Sequence, residues 1–98
     1  MDGEDVIRKQ VRVTPDHGLH LSPISQLVRK AMTYSASVSL SFDGRRADVK
    51  SAFDLMLLAA PCGAILDLEC SGLDAAAAAE GVIALFDAGF VIPGQSVA

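Results

Sequence analysis

Along residues 35–42 an apolar side chain alternates with a serine at every step: Ala36, Val38, Leu40 and Phe42 against Ser35, Ser37, Ser39 and Ser41. Successive side chains of a strand point to opposite faces, so this period of two predicts a strand with one buried and one polar face. Asp43-Gly44 follows, a pair favoured in two-residue hairpin turns, and Ala47 and Val49 resume the alternation on a return strand. A further strand sets Ala64, Leu66, Leu68 and Cys70 against Ile65, Asp67 and Glu69, and ends at a Ser71-Gly72 turn. The first strand is more weakly marked: Ile7, Val11 and Val13 alternate with Arg8, Gln10 and Arg12, while Lys9 interrupts the inward set. Thr14 to Gly18 then reads as a loop.

From Leu21 the period changes. Ile24, Leu27, Val28 and Ala31 share one face of an amphipathic helix, with Pro23 in the first turn, where its missing N–H costs nothing. A short helix begins near Ser51 with Phe53, Met56, Leu57 and Ala60 as its expected core stripe, and Pro61 and Gly63 close it. Asp74 is a candidate N-cap for a last helix from Ala75 to about Ala88, which buries Ala75, Ala78, Ala79, Val82, Leu85 and Phe86. The order β-α-β-β-α-β-α, with one apolar face per element, predicts an α+β fold. It is a two-layer open-faced sandwich: a four-stranded, mostly antiparallel sheet with three helices on one face. Residues 1–90 are read as a single domain and 91–98 as a loose C-terminal tail.

Ninety-eight residues, 51% of them hydrophobic, suffice for one packed core. A net charge of −4 makes nucleic acid an unsuitable main partner. No run approaches the roughly 18 apolar residues of a membrane span, and the start MDGEDVIRKQ is unlike a signal peptide, so no membrane insertion and a cytoplasmic monomer are expected. Cys70 ends a predicted strand and Cys62 lies in the Pro-Cys-Gly turn before it. If the segment between them is extended they are about 26 Å apart, too far to bridge, so both are expected to be reduced structural thiols.

His20, in His-Gly-Leu-His-Leu-Ser-Pro from His17 to Pro23, is the residue with the strongest chemical potential. At a helix start it lies beside unpaired N–H groups and the positive end of the helix dipole, which favours an anion on its ring. Imidazole titrates near neutrality and can be both nucleophile and leaving group, which suits reversible phosphoryl carriage. Competing readings are an exposed or capping histidine, a metal site and a hydrolase. A metal site would need ligands beyond His17, His20 and Asp16, and a hydrolase would need a nucleophile elbow that the sequence lacks. For Ser51, helix capping competes with phosphorylation.

This element order, with Gly18-Leu19-His20-x-x-Pro23 at the first loop–helix junction and Lys50-Ser51 before the short helix, resembles the HPr family of histidine-containing phosphocarriers. The resemblance spans roughly residues 7–89. It implies that His20 accepts a phosphoryl group from enzyme I of a phosphoenolpyruvate:sugar phosphotransferase system and passes it to IIA-type proteins. The phosphate would sit on Nδ1 beneath N–H groups of the following helix, supported at Leu21, Ser22 and Pro23. The resemblance further implies transient partner contacts at Lys50, Ala52 and Phe53, and regulatory phosphorylation of Ser51 by a dedicated HPr kinase/phosphorylase. The protein would be modified and discharged by others rather than turn over substrate itself, and no cofactor or metal is expected.

The departures are local. The family usually has arginine two residues after the histidine, where this chain has Ser22. A charge-assisted hydrogen bond of about 1.5–3 kcal/mol is thereby missing, enough to shift a phosphoryl equilibrium roughly ten- to a hundredfold. Arg29 lies about 13 Å farther along the helix. Asp54 stands where the family often has lysine, Leu55 stands where a polar partner-facing residue is expected, and His17 replaces a small polar residue. These changes suit a second function on the same fold: a regulatory binding module acting through protein contacts, with little phosphotransfer at His20.

Overall fold

The computed structural model describes residues 5–91. Its elements are β1 (Asp5–Arg12), α1 (Leu21–Ala31), β2 (Ser37–Phe42), β3 (Arg45–Asp48), α2 (Ala52–Leu58), β4 (Ile65–Gly72) and α3 (Ala75–Asp87), in the expected order. The strands form one sheet in the order β1-β4-β2-β3, and every neighbouring pair is antiparallel. The expected tail falls, from residue 92 onward, outside the described residues.

Register explains burial. Leu40 faces Leu68 on β4 and Ala47 on β3, and Val38 faces Cys70, so the inward residues of the central strands lie in rows. These rows join the inner faces of the helices in one cluster that includes Val11, Leu27, Leu66, Val82 and Phe86. The outer face carries Arg8, Glu69 and Arg46, linked by two ion pairs of 3.5 Å. Lys9 does share the inward side, opposite Leu68, but β1 is a sheet edge and the side chain stays exposed. A lysine on an edge strand also discourages pairing with another chain. Asp43 and Gly44 both have positive φ, at 53° and 77°, which closes the β2–β3 hairpin with the twist of a type I′ turn.

Cys70 is fully buried at the end of β4, and burial, with Glu69 adding to it, pushes its thiol up to about 11. Cys62 is exposed, and both thiols are free.

Two expectations fail. The first concerns α2. Its buried residues are Leu55 and Leu58, whereas Phe53, Met56 and Leu57 are 65%, 53% and 59% exposed. Five of the seven residues of this helix are large and apolar, so two rival stripes exist, and packing against β3 decides between them. Leu55 is therefore a core residue and not part of a partner surface. Leu55→Ala should cost about 2–5 kcal/mol in chemical denaturation, and Phe53→Ala no more than about 0.5 kcal/mol.

The second concerns Asp74. It stands at the N-cap position of α3 but makes no side-chain cap. Its carboxylate accepts from the backbone N–H of Ser35 at 2.9 Å and of Ala36 at 2.7 Å, tying the approach to β2 to the start of α3. Those N–H groups, Ser35 first, hold its pKa below the usual 3.8 against a smaller opposing effect of burial. A carboxylate with a depressed folded-state pKa stabilises the fold above the unfolded-state value and loses that contribution as pH falls through the folded value. Asp74→Ala should therefore lower the denaturation midpoint at pH 7, and its gap from wild type should narrow below pH 3.8.

Candidate functional site

The site begins with a turn that only glycine fits. Gly18 has φ of 71°, and a Cβ there would stand 2.5 Å from the Ala60 carbonyl oxygen and 2.9 Å from Pro61 Cα. Without one, the chain passes close beneath the α2–β4 loop, and Leu19 N–H donates to the Ala60 carbonyl at 3.0 Å. The two loops are joined again by Val13 N–H to Ala64 O at 2.9 Å and Gly63 N–H to Val13 O at 2.7 Å. Leu19 is buried, so the residue before His20 is anchored on both backbone and side chain.

His20 follows as the N-cap residue of α1, in extended conformation with φ −88° and ψ −172°. Its carbonyl accepts the first helical bond, from Ile24 N–H at 3.0 Å, and its own N–H turns back to Gly18 O at 2.9 Å. The imidazole makes no cap bond and is exposed. N–H groups at the first positions of a helix have no intrahelical partner, and here those are Leu21 and Ser22, since Pro23 has none. Pro23 is buried and fixes φ in the first turn, while Leu21 and Ser22 stay exposed. An uncapped helix start beside a free imidazole can hold an anion.

The ring of His17 stands 5.9 Å from that of His20, centroid to centroid, at 88° between planes. Arg29 hydrogen-bonds back to Ser25 at 3.5 Å, one turn short of the helix start. Among the described residues no three His, Cys, Asp or Glu side chains gather into a set that could hold a metal ion.

Ser51 occupies the N-cap of α2, where its Oγ accepts from Asp54 N–H at 3.2 Å. The Asp54 carboxylate in turn accepts from Asp48 N–H at 3.1 Å. Lys50 is half-buried, and its ammonium donates to Tyr34 O at 2.9 Å. Ala52 and Phe53 are exposed, joined by Met56 and Leu57. Ala52 also borders a groove of about 410 Å³ between α1 and α2, which Leu21, Ile24, Val28 and Arg29 line.

Residues 7–88 match the family model described as the phosphorylation site of the PTS HPr component. The chain belongs to the HPr family. It is 34% identical over 79 residues to the phosphocarrier protein HPr of Vibrio cholerae, a stretch covering 81% of this chain and 93% of that protein. The crystal structure of HPr from Bacillus anthracis superposes with a TM-score of 0.78 at 28% identity, over 83% of this chain and 96% of that one. HPr-C-His from Thermoanaerobacter tengcongensis, at 22% identity, shows the same fold with a TM-score of 0.83, covering 93% and 99%. No helix among the described residues is long and apolar enough to cross a membrane.

The sequence marked His20 and Ser51, but two features of this HPr site escaped it. Contact between the first loop and the Ala60 carbonyl joins residues more than forty positions apart, and no periodicity reports such a pairing. The closeness of the two histidine rings depends on the turn at Gly18. Gly18→Ala is expected to lose about 1–3 kcal/mol in urea denaturation, from the left-handed backbone and the clash with Ala60, and to shift the NMR signals of His20.

Proposed function

We propose that this chain is the phosphocarrier of a phosphotransferase system, accepting a phosphoryl group on His20 from enzyme I and delivering it to IIA-type proteins in the cytoplasm. One observation carries the reading: His20 is an exposed, uncommitted imidazole on a helix whose first N–H groups are free. In the transfer, the donor's bond to phosphorus breaks and its electron pair stays with the donor. The lone pair of a neutral His20 nitrogen forms the new N–P bond. Nδ1 is the nitrogen we assign, with the Leu21 and Ser22 N–H groups taking up phosphate charge and Pro23 fixing their direction. The reverse sequence discharges the group, so the chain is a carrier and not a turnover catalyst.

The surface beside the site suits brief contacts. Leu21, at 72% exposure, lines the groove at Ala52, and with Phe53, the next residue of α2 and 65% exposed, it offers an apolar platform for a partner that must dock and leave. Lys50 shapes this region by holding Tyr34, so its part in docking is indirect.

A second reading, a regulatory module controlled at Ser51, draws on the same exposed apolar residues, which lie on α2 and work without His20. An HPr kinase acting on Ser51 would place the phosphate at the first turn of α2, where Ser51 Oγ accepts from Asp54 N–H and the Asp54 carboxylate is near in sequence. Such a modification would act by setting a charge of about −1.5 to −2 beside the exposed apolar residues of α2.

The deciding experiment is incubation with phosphoenolpyruvate and a cognate enzyme I, followed by intact mass at neutral and acid pH. An acid-labile gain of one phosphoryl group, lost in His20→Ala, is expected. Its absence with an active enzyme I would leave the regulatory reading. In the same assay Ser22→Arg should raise the phosphorylated-to-free ratio at equilibrium by about tenfold or more, through a charge-assisted bond to phosphate.

A further inference from the structure

We propose that His17, protonated, is the cationic ligand for a phosphoryl group on His20, completing a phosphate site that the helix start fills only in part. The proposal rests on His20 being the phosphoryl acceptor, as argued above.

The first ground is supply and demand of hydrogen bonds. A phosphoryl group brings three strong acceptor oxygens and a charge of about −1.5 to −2. The helix start offers the N–H groups of Leu21 and Ser22, and Pro23 offers none. Ser22 Oγ, exposed and accepting from Gln26 Nε2 at 3.4 Å, can add one O–H donor. At most three donors, all neutral, therefore face three oxygens that each accept more than one bond. Acceptor capacity is left over on any phosphate bound there.

The second ground is charge. From Thr14 to Val28 the sequence holds no lysine or arginine, and Arg29 is turned back to Ser25. His17 is the one side chain in that stretch, besides the acceptor itself, that can carry a positive charge.

The third ground is placement. The two rings are 5.9 Å apart and nearly perpendicular, and both are exposed. A phosphate oxygen on one ring can receive a hydrogen bond of about 2.8 Å from the other across such a gap. The spacing is also secured from behind. Gly18 N–H donates to Pro15 O at 2.9 Å, and Leu19 N–H to Ala60 O at 3.0 Å, so the segment between the histidines is fixed at both ends.

The titratable groups on the surrounding elements are few. Asp16 shares the loop, His20 begins α1, Cys62 lies on the α2–β4 loop, and Asp87 ends α3 shortly before Gly89, which lies against Thr14. Asp16 and Asp87 are the anionic groups of this set, and the start of α1 presents the positive end of its dipole. A phosphate on His20 adds the largest local charge and tips this balance. By linkage, phosphorylation of His20 strengthens proton binding at His17 to the same extent that the proton strengthens the hold on phosphate.

The test needs no partner protein. Wild type is phosphorylated chemically with phosphoramidate, the modified residue is located by mass spectrometry, and the His17 ring is titrated by NMR before and after. The expected result is phosphate on His20 and a His17 titration moved to higher pH by about 1 unit. An identical titration in free and phosphorylated protein overturns the proposal, as does phosphate found on His17 instead. With enzyme I, His17→Ala should lower the equilibrium phosphorylated-to-free ratio by about tenfold, and His17→Gln should recover part of it through a neutral donor. Equal loading of wild type and His17→Ala overturns the proposal while the carrier reading stands. Loading by phosphoramidate with the expected response at His17, but none by an active enzyme I, sinks the carrier reading and leaves the phosphate ligand assigned.

Discussion

A hydrogen bond over a missing side chain holds the functional end of this molecule together. Leu19 N–H reaches the Ala60 carbonyl at 3.0 Å only because Gly18 presents no Cβ to that oxygen. The grip is built on both sides. Ala59, just before the gripping carbonyl, is itself left-handed, with φ of 52°, a conformation that costs an alanine roughly 1 kcal/mol. That cost is borne where α2 must stop abruptly and turn its chain under the first loop. Everything chemical follows from the resulting position: the start of α1, the exposure of His20 and the nearness of His17.

The three helix starts of this fold are put to different uses, and the contrast indicates which one is available to a ligand. At α2 the Ser51 side chain caps its own helix at Asp54 N–H, and the Asp54 carboxylate accepts from Asp48 N–H at the end of β3. At α3 the expected cap, Asp74, is spent on Ser35 and Ala36, which secures β2 rather than the helix. Neither Asp74 nor His20 caps its own helix, but the His20 side chain, unlike that of Asp74, is not committed to a tertiary hydrogen bond. Leaving N–H groups unpaired costs little where water reaches them, and it keeps them open for an anion.

This division also explains what could be read from the chain and what could not. Strand β2 was legible because Ser35 to Phe42 repeats its pattern for eight residues, and the register with β4 and β3 then follows from which face is apolar. Helix α1 was legible for the same reason, having polar residues to define its outer face. In α2 Phe53, Leu55, Met56, Leu57 and Leu58 leave no polar face to orient it, and the choice falls to the β3 surface beneath. Asp74 misled because capping chemistry is local, whereas its actual partners lie nearly forty residues earlier. His20 and Ser51 stood out as residues in motifs. The grip at Ala60, which gives His20 its setting, is a tertiary contact and leaves no local trace.

The absence of arginine at Ser22 is best weighed against what a carrier requires. A helix start contributes about 0.3–1 kcal/mol to a nearby anion, rising to about 2 kcal/mol in favourable geometry, and two N–H groups add charge-assisted bonds. An arginine would add about 1.5–3 kcal/mol more. That extra hold would stabilise the loaded state, and every increment of it must be overcome when the next protein takes the group away. A carrier works when its phosphoryl potential lies between those of its donor and its acceptor, so maximal affinity is no virtue. On the carrier reading proposed above, Ser22 would set the hold lower without removing the site, since the backbone N–H groups that would define it belong to α1 whatever side chain stands there.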